Sequence, residues 1–191
     1  MNGRTERDDD TPDRAPRRRP ALMLACYVIA AVAIGLDQWT KTLAVNGLDP
    51  AEPVRLFGGM VYLSLTRNPG AAFSIATDYT WILAIVASAV VVFLAFLARK
   101  IVYPAWAIAL GLVLGGAAGN LIDRIFREPG IGLGHVVDFI SVLQPHGRAF
   151  PIFNVADSSL VCGVILIVLL ELTGHGFSPA ARRAAGKEDE Q

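Results

Sequence analysis

Residues 150–170, FPIFNVADSSLVCGVILIVLL, hold a single charge, Asp157, in a run apolar enough to lie in a bilayer. A carboxylate at the centre of a membrane span costs roughly 2.5–3.5 kcal/mol on insertion scales, less towards the surface, so an acid retained there is usually functional. The plain alternative is an Asp that snorkels to water. A second acid, Asp138, stands in GHVVDFI, flanked by apolar residues just before the same run. Those neighbours pull it towards the interface, which a solvated loop charge would not tolerate. Two carboxylates within about 3 Å cannot both ionise at neutral pH, and the pair then holds one proton. Such a dyad can deprotonate a bound water with its ionised member and hydrogen-bond a scissile carbonyl with its protonated member. The resulting chemistry is peptide hydrolysis without a covalent intermediate.

Other polar residues stand close enough in sequence to join such a site. Asn154 precedes Asp157 by three residues and shares its face on a helix. Pro151 suits a first helical turn, which puts Asp157 about 9 Å further along at 1.5 Å per residue, near one membrane interface. In GNLIDR, Asn120, Asp123 and Arg124 fall at i, i+3 and i+4, hence on one face, although interfacial solvation explains such a stripe equally well. A Ser–Lys pair is open to Lys41 with Ser64 or Ser74. Lys41 nevertheless follows Asp37 by four residues, where an ion pair is the simpler reading. His135, His146 and His175 show no HExxH spacing, so no zinc protease and no metal is expected. Cys26 and Cys162 both sit in apolar runs and read as packing residues, without a disulfide.

Positioning these groups requires a membrane frame. The chain of 191 residues is 53% hydrophobic and 18% charged, with mean hydropathy +0.48, too apolar for an ordinary soluble domain. Seventeen Lys and Arg balance seventeen Asp and Glu, so net charge points to no nucleic-acid partner. Four apolar stretches stand out: Ala21 to Leu36, stopped by Asp37; Trp81 to Ala98, stopped by Arg99-Lys100; Ile101 to Ile122, ending at Asp123-Arg124; and the run that ends near Glu171. Each approaches the roughly 20 residues a helix needs to cross a bilayer, and lipid offers no partner for unpaired backbone groups, which favours helices. The expected fold is an α-helical membrane protein, four transmembrane helices with a small β-sheet on the outer membrane surface.

Eleven of the seventeen basic residues lie in the two tails or at Arg99-Lys100. By the positive-inside rule both termini are cytoplasmic, and the loops at about 38–80 and 123–150 face outward. In the first of these, VRLFGGMVYLSLT alternates around Gly58-Gly59 and predicts a hairpin at about residues 53–67, with Asn68-Pro69-Gly70 a turn after it. Gly111, Gly115 and Gly119 recur every four residues, the small face by which membrane helices approach closely. Residues 1–20 read as a disordered basic cytoplasmic tail, 21–172 as the membrane domain and 173–191 as a cytoplasmic C-terminal tail, with 178–191 disordered. The basic RAPRRRP followed by an apolar run also has the look of a signal peptide, but no small-residue cleavage pattern follows it.

The blocks DQWTK (37–41), NPGAAFS (68–74), GNLIDR (119–124), VVDF (136–139) and FNVADS (153–158) resemble, in order and on a four-span frame, those of bacterial lipoprotein signal peptidase, the type two signal peptidase, an aspartic enzyme of the cytoplasmic membrane. The likeness covers most of residues 21–172. It implies a prolipoprotein substrate whose cysteine already bears a diacylglyceryl group, cleaved on the N-terminal side of that cysteine. It implies Asp138 and Asp157 as the catalytic dyad. Asp37, Asn68, Asn120, Arg124 and Asn154 would be the polar groups that orient the dyad and the substrate backbone. It also implies no cofactor, membrane lipids as partners, and a monomer. The rival from another class is a proton-coupled membrane transporter relaying protons through Asp123, Asp138 and Asp157; four spans without an inverted repeat, and acids gathered on one side, speak against it. A non-catalytic scaffold leaves the two apolar-flanked acids without a purpose.

Overall fold

The computed structural model describes residues 19–70 and 80–177. Four helices carry the chain across: α1, Pro20–Gly47; α2, Thr80–Ala98; α3, Pro104–Phe126; and α4, Val155–Leu172. All four are long and apolar enough to span a membrane. Pro20 and Pro104 open α1 and α3 in the first turn, where the missing N–H is no loss.

Packing inverts the soluble pattern: small residues lie inside and large apolar ones outside. Along α1, Cys26, Ala30, Ala33 and Asp37 are buried while Leu24, Val28, Val32 and Leu36 are exposed. The buried small residues meet the expected glycine face of α3. A methyl added at Gly111 would lie 2.8 Å from the Cys26 carbonyl oxygen, and one at Gly115 would lie 2.7 Å from the Ala33 Cβ. On the opposite side of α3, Gly116 meets the first turns of α4, and Gly163 of α4 meets Ala109 and Val113. The central helix α3 is thus gripped from both sides at backbone distance, since dispersion contacts rather than hydrophobicity hold helices together in lipid. Cys26 belongs to this core, whereas Cys162 is exposed on α4 and packs nothing inside, contrary to its expected role.

At one end of the bundle lies a three-stranded antiparallel sheet, ordered β1 (Val54–Leu56), β2 (Val61–Asn68), β3 (Val136–Val142). The predicted hairpin is present, turned by Phe57–Gly59 with Gly58 and Gly59 at positive φ. The third strand was not foreseen. Its sequence, VVDFISV, is buried almost throughout, so it lacks the alternation that marks a half-exposed strand. Register sets Thr66 opposite Asp138 and Asn68 opposite Val136. A bridge between Ile140 and Phe153 ties the sheet to the residues leading into α4.

Two helix C-termini differ from expectation. Helix α1 does not stop at Asp37 but continues to Gly47, because Asp37 and Lys41 are fully buried against α3 instead of facing water. Helix α3 likewise runs past Asp123-Arg124 to Phe126. At the other end, Trp106 donates its indole N–H to the His175 carbonyl at 2.8 Å and meets Phe177 edge-on, so residues 173–177 fold back onto the bundle. Of the tails expected to be disordered, residues 1–18 and 178–191 lie outside the described residues, as does Ser74 with the rest of NPGAAFS beyond Gly70, whereas Pro20 already belongs to α1.

Candidate active site

The seven residues singled out from the sequence converge where α1, α3, α4 and the sheet meet. Asp138 comes from the middle of β3 and is 2% exposed. Asp157 comes from α4, but not from two turns inside it: the helix begins at Val155, with Asn154 as N-cap, and Pro151 lies ahead of it. A capping box explains this start. The Asn154 side-chain oxygen accepts the Asp157 N–H at 2.9 Å, and the Asn154 N–H donates to Asp157 Oδ2 at 3.2 Å. Asp157 therefore stands in the first turn, at the positive end of the α4 dipole.

One residue, Asn154, joins the two acids. Asn154 Nδ2 donates to Asp138 Oδ1 at 2.6 Å and reaches Asn120 Oδ1 at 3.1 Å and the Val137 carbonyl at 3.3 Å. Asn68, the last residue of β2, donates to Asp138 Oδ2 at 2.9 Å, while its own oxygen accepts the Gly70 N–H at 2.8 Å in the expected turn. Asn120 Nδ2 donates to Asp157 Oδ1 at 2.7 Å. Arg124 donates to the Asn120 carbonyl at 3.2 Å and lies within the electrostatic reach of both acids. Its buried Nε is the one buried side-chain nitrogen or oxygen without a hydrogen-bond partner among the described residues. Burial pushes the Asp138 carboxyl up to about 6, opposed by the Asn68 amide and reinforced by the Asp157 carboxylate.

Asp37 lies one layer deeper. Its Oδ1 accepts the Ala156 N–H at 2.9 Å and its Oδ2 pairs with Lys41 at 2.8 Å, the ion pair expected from their spacing. Lys41 also pairs with Asp123 at 2.8 Å and is fully buried. Among the described residues its ammonium meets no serine; Ser64 instead accepts the His146 N–H at 3.2 Å, so a Ser64–Lys41 nucleophile has no geometric support. Sequence reasoning foresaw the Asp37–Lys41 pair, named Asp123 only for other roles and did not foresee Gln38 or Arg127. Gln38 donates to both Asp37 and Asp123 at 3.1 Å, and Arg127 pairs with Asp123 at 2.6 Å. The clue within reach was the i, i+4 repeat of Asp123 and Arg127, which matches that of Asp37 and Lys41.

The family model described as signal peptidase (SPase) II matches residues 29–173 of this chain. The chain belongs to that family. Relatives called lipoprotein signal peptidase include one from Mycolicibacterium smegmatis, 49% identical over 183 residues, which are 96% of this chain and 74% of the relative. One from Rhodococcus jostii is 50% identical over 88% of this chain and 84% of the relative, and one from Mycobacterium tuberculosis is 48% identical over 90% and 81%. Two solved structures of bacterial membrane enzymes share the fold. The first has a TM-score of 0.67 at 31% identity over 79% of this chain and 89% of its own; the second has 0.66 at 28% over 82% and 96%. The protein is accordingly a multi-span membrane hydrolase of the signal peptidase type. In this peptidase Asp123, Asp138 and Asp157 gather at one end of the bundle, where a relay across the membrane would need them spread along it.

Proposed function

We propose that this peptidase removes the signal peptide of prolipoproteins whose cysteine bears a diacylglyceryl group, cutting before that cysteine with Asp138 and Asp157 as a water-activating dyad. The observation that carries the reading is that both carboxylates hydrogen-bond to the one residue Asn154, Asp138 to its side-chain amide and Asp157 to its backbone N–H. Asp157 accepts donors on both oxygens at a helix N-terminus, which suits the ionised base. Asp138, held up to about 6 by burial, suits the member that keeps the proton and polarises the scissile carbonyl. Asn68, Asn120, Asn154 and Asp37 orient these two groups, and the unpartnered Nε of Arg124 is left to bind a substrate carbonyl.

Helix length supports the height of the site. Asp37 lies seventeen residues beyond Pro20, about 26 Å along α1 at 1.5 Å per residue, near the far edge of a hydrocarbon core of about 30 Å. Arg19, Arg99 and Lys100 mark the opposite end, which favours cytoplasmic termini and a site at the outer leaflet. Substrate lipid tails that stay in the bilayer fix the cysteine at that level, and the sheet beside the dyad takes the peptide as it leaves the membrane. Residues 21–172 form the catalytic unit, acting as a monomer among membrane lipids.

Purified protein incubated with a diacylglyceryl-modified prolipoprotein tests this, with Asp138→Asn and Asp157→Asn alongside. Each variant is expected to stay folded in detergent and to lose cleavage by at least a thousandfold. Normal cleavage by either would exclude the dyad.

A further inference from the structure

Lys41 makes no hydrogen bond or ion pair with either acid, although its charge reaches Asp138, and it is connected to both through a symmetric arrangement. Its ammonium has three donors and no acceptor, and all three are used: Asp37 Oδ2 at 2.8 Å, Asp123 Oδ2 at 2.8 Å and Asn120 Oδ1 at 3.0 Å. Each of the two partner carboxylates also grips a backbone N–H. Asp37 Oδ1 holds that of Ala156, the residue before Asp157. Asp123 Oδ2 holds that of Val137, the residue before Asp138, at 3.1 Å. The third partner faces the dyad directly. Because Lys41 can only donate, Asn120 must turn its oxygen towards it, and the Asn120 amide hydrogens then point at Asp157 Oδ1.

We propose that Lys41 is a positioning residue that sets the separation and orientation of Asp138 and Asp157 without touching either. Resting on the dyad reading above, it assigns the buried cluster a geometric task. The ammonium draws Asp37 of α1 and Asp123 of α3 together, and these two carry β3 and the start of α4 into register. With Arg127 on the outer side of Asp123, the cluster has two anionic and two cationic groups and no net charge, the condition under which buried ions are tolerated. A neutral side chain in place of Lys41 would leave two carboxylates facing each other and free the Asn120 amide to flip.

Steady-state cleavage of a diacylglyceryl-modified prolipoprotein by the full chain in detergent tests this, with Lys41→Met and the double variant Asp37→Asn/Lys41→Met. The double variant leaves Asp123 paired with Arg127 and so strands no buried charge. The expected result is a fall in kcat of about a hundredfold with KM within threefold, since about 1 Å of misplacement costs that much and Lys41 makes no substrate contact. Hydrogen exchange at the Val137 and Ala156 amides should quicken while that of α2 stays as in wild type. A folded Lys41 variant with kcat within threefold of wild type overturns the inference, as does a raised KM at unchanged kcat. If the double variant also fails to fold, Lys41 serves folding alone and the inference falls. Normal cleavage by Asp138→Asn and Asp157→Asn would instead sink the dyad itself, whatever the Lys41 variants do.

Discussion

Gly116→Ala is a test of the packing argument at a position no catalytic reasoning would select. A Cβ at Gly116 would lie 2.9 Å from the Leu160 nitrogen and 3.0 Å from the Leu160 Cβ, and would press on the Ala156 carbonyl oxygen. Ordinary contact begins near 3.4 Å, so α4 must retreat by 0.4 to 0.5 Å or more at its first two turns. These contacts are with backbone atoms and a Cβ, and no rotamer change relieves them. Overpacking of this kind costs about 1–3 kcal/mol in stability. The functional cost is larger in proportion, because Ala156 precedes Asp157 and productive geometry holds only within about 0.5 Å. A loss of kcat of about tenfold to a hundredfold is expected. Gly35→Ala is the matched control, since nothing lies within 4 Å of its Cβ; there the helix should gain about 0.5–1 kcal/mol and activity should stay at wild type. Prolipoprotein cleavage and thermal unfolding, both in detergent, read the two effects. Wild-type kcat in Gly116→Ala, with the fold intact, would refute the claim that close approach of α3 and α4 places Asp157.

The remaining predictions concern the acids and their cap. Asp138 rises from 3.8 to about 6, so its proton is present below that pH and lost above it; kcat/KM should decline along an alkaline limb, and a profile flat from about pH 5 to 8 would contradict the assignment of Asp138 as proton holder. The same shift means that the stability contributed by Asp138 is full below about 3.8 and disappears as pH rises through about 6, a slope that Asp138→Asn should remove from pH-dependent unfolding. Asn154→Ser keeps a good helix cap but loses the amide that donates to Asp138, so cleavage should fall about tenfold with a small change in melting. Asn154→Asp keeps the cap too, yet sets a third carboxylate against Asp138; a loss of about a hundredfold at neutral pH, eased in acid, is expected from titrated rates.

The four spans and the chemistry on offer were readable from residue order alone. Run length and apolarity fix where a helix must cross, because lipid leaves no other way to satisfy the backbone, and acids in such runs are too costly to be idle. The hairpin around Gly58-Gly59, the turn at Asn68, the Asp37–Lys41 pair and the glycine face of α3 were legible for the same reason: each depends on residues within one or two turns of each other. The rest arose from contacts between distant segments. Strand β3 has no amphipathic signature because both of its faces are covered, and it exists as a strand only when β2 lies beside it. The capping box of Asn154 starts α4, and the residues leading into it are tied to the sheet by Phe153 pairing with Ile140. The grip of Asp37 on Ala156 spans 119 positions and that of Lys41 on Asn120 spans 79. Such contacts depend on loop closure and helix packing rather than local preference, so polar residues that look like solvated span ends in the sequence become, once α1, α3 and α4 close at backbone distance, the buried frame around two carboxylates.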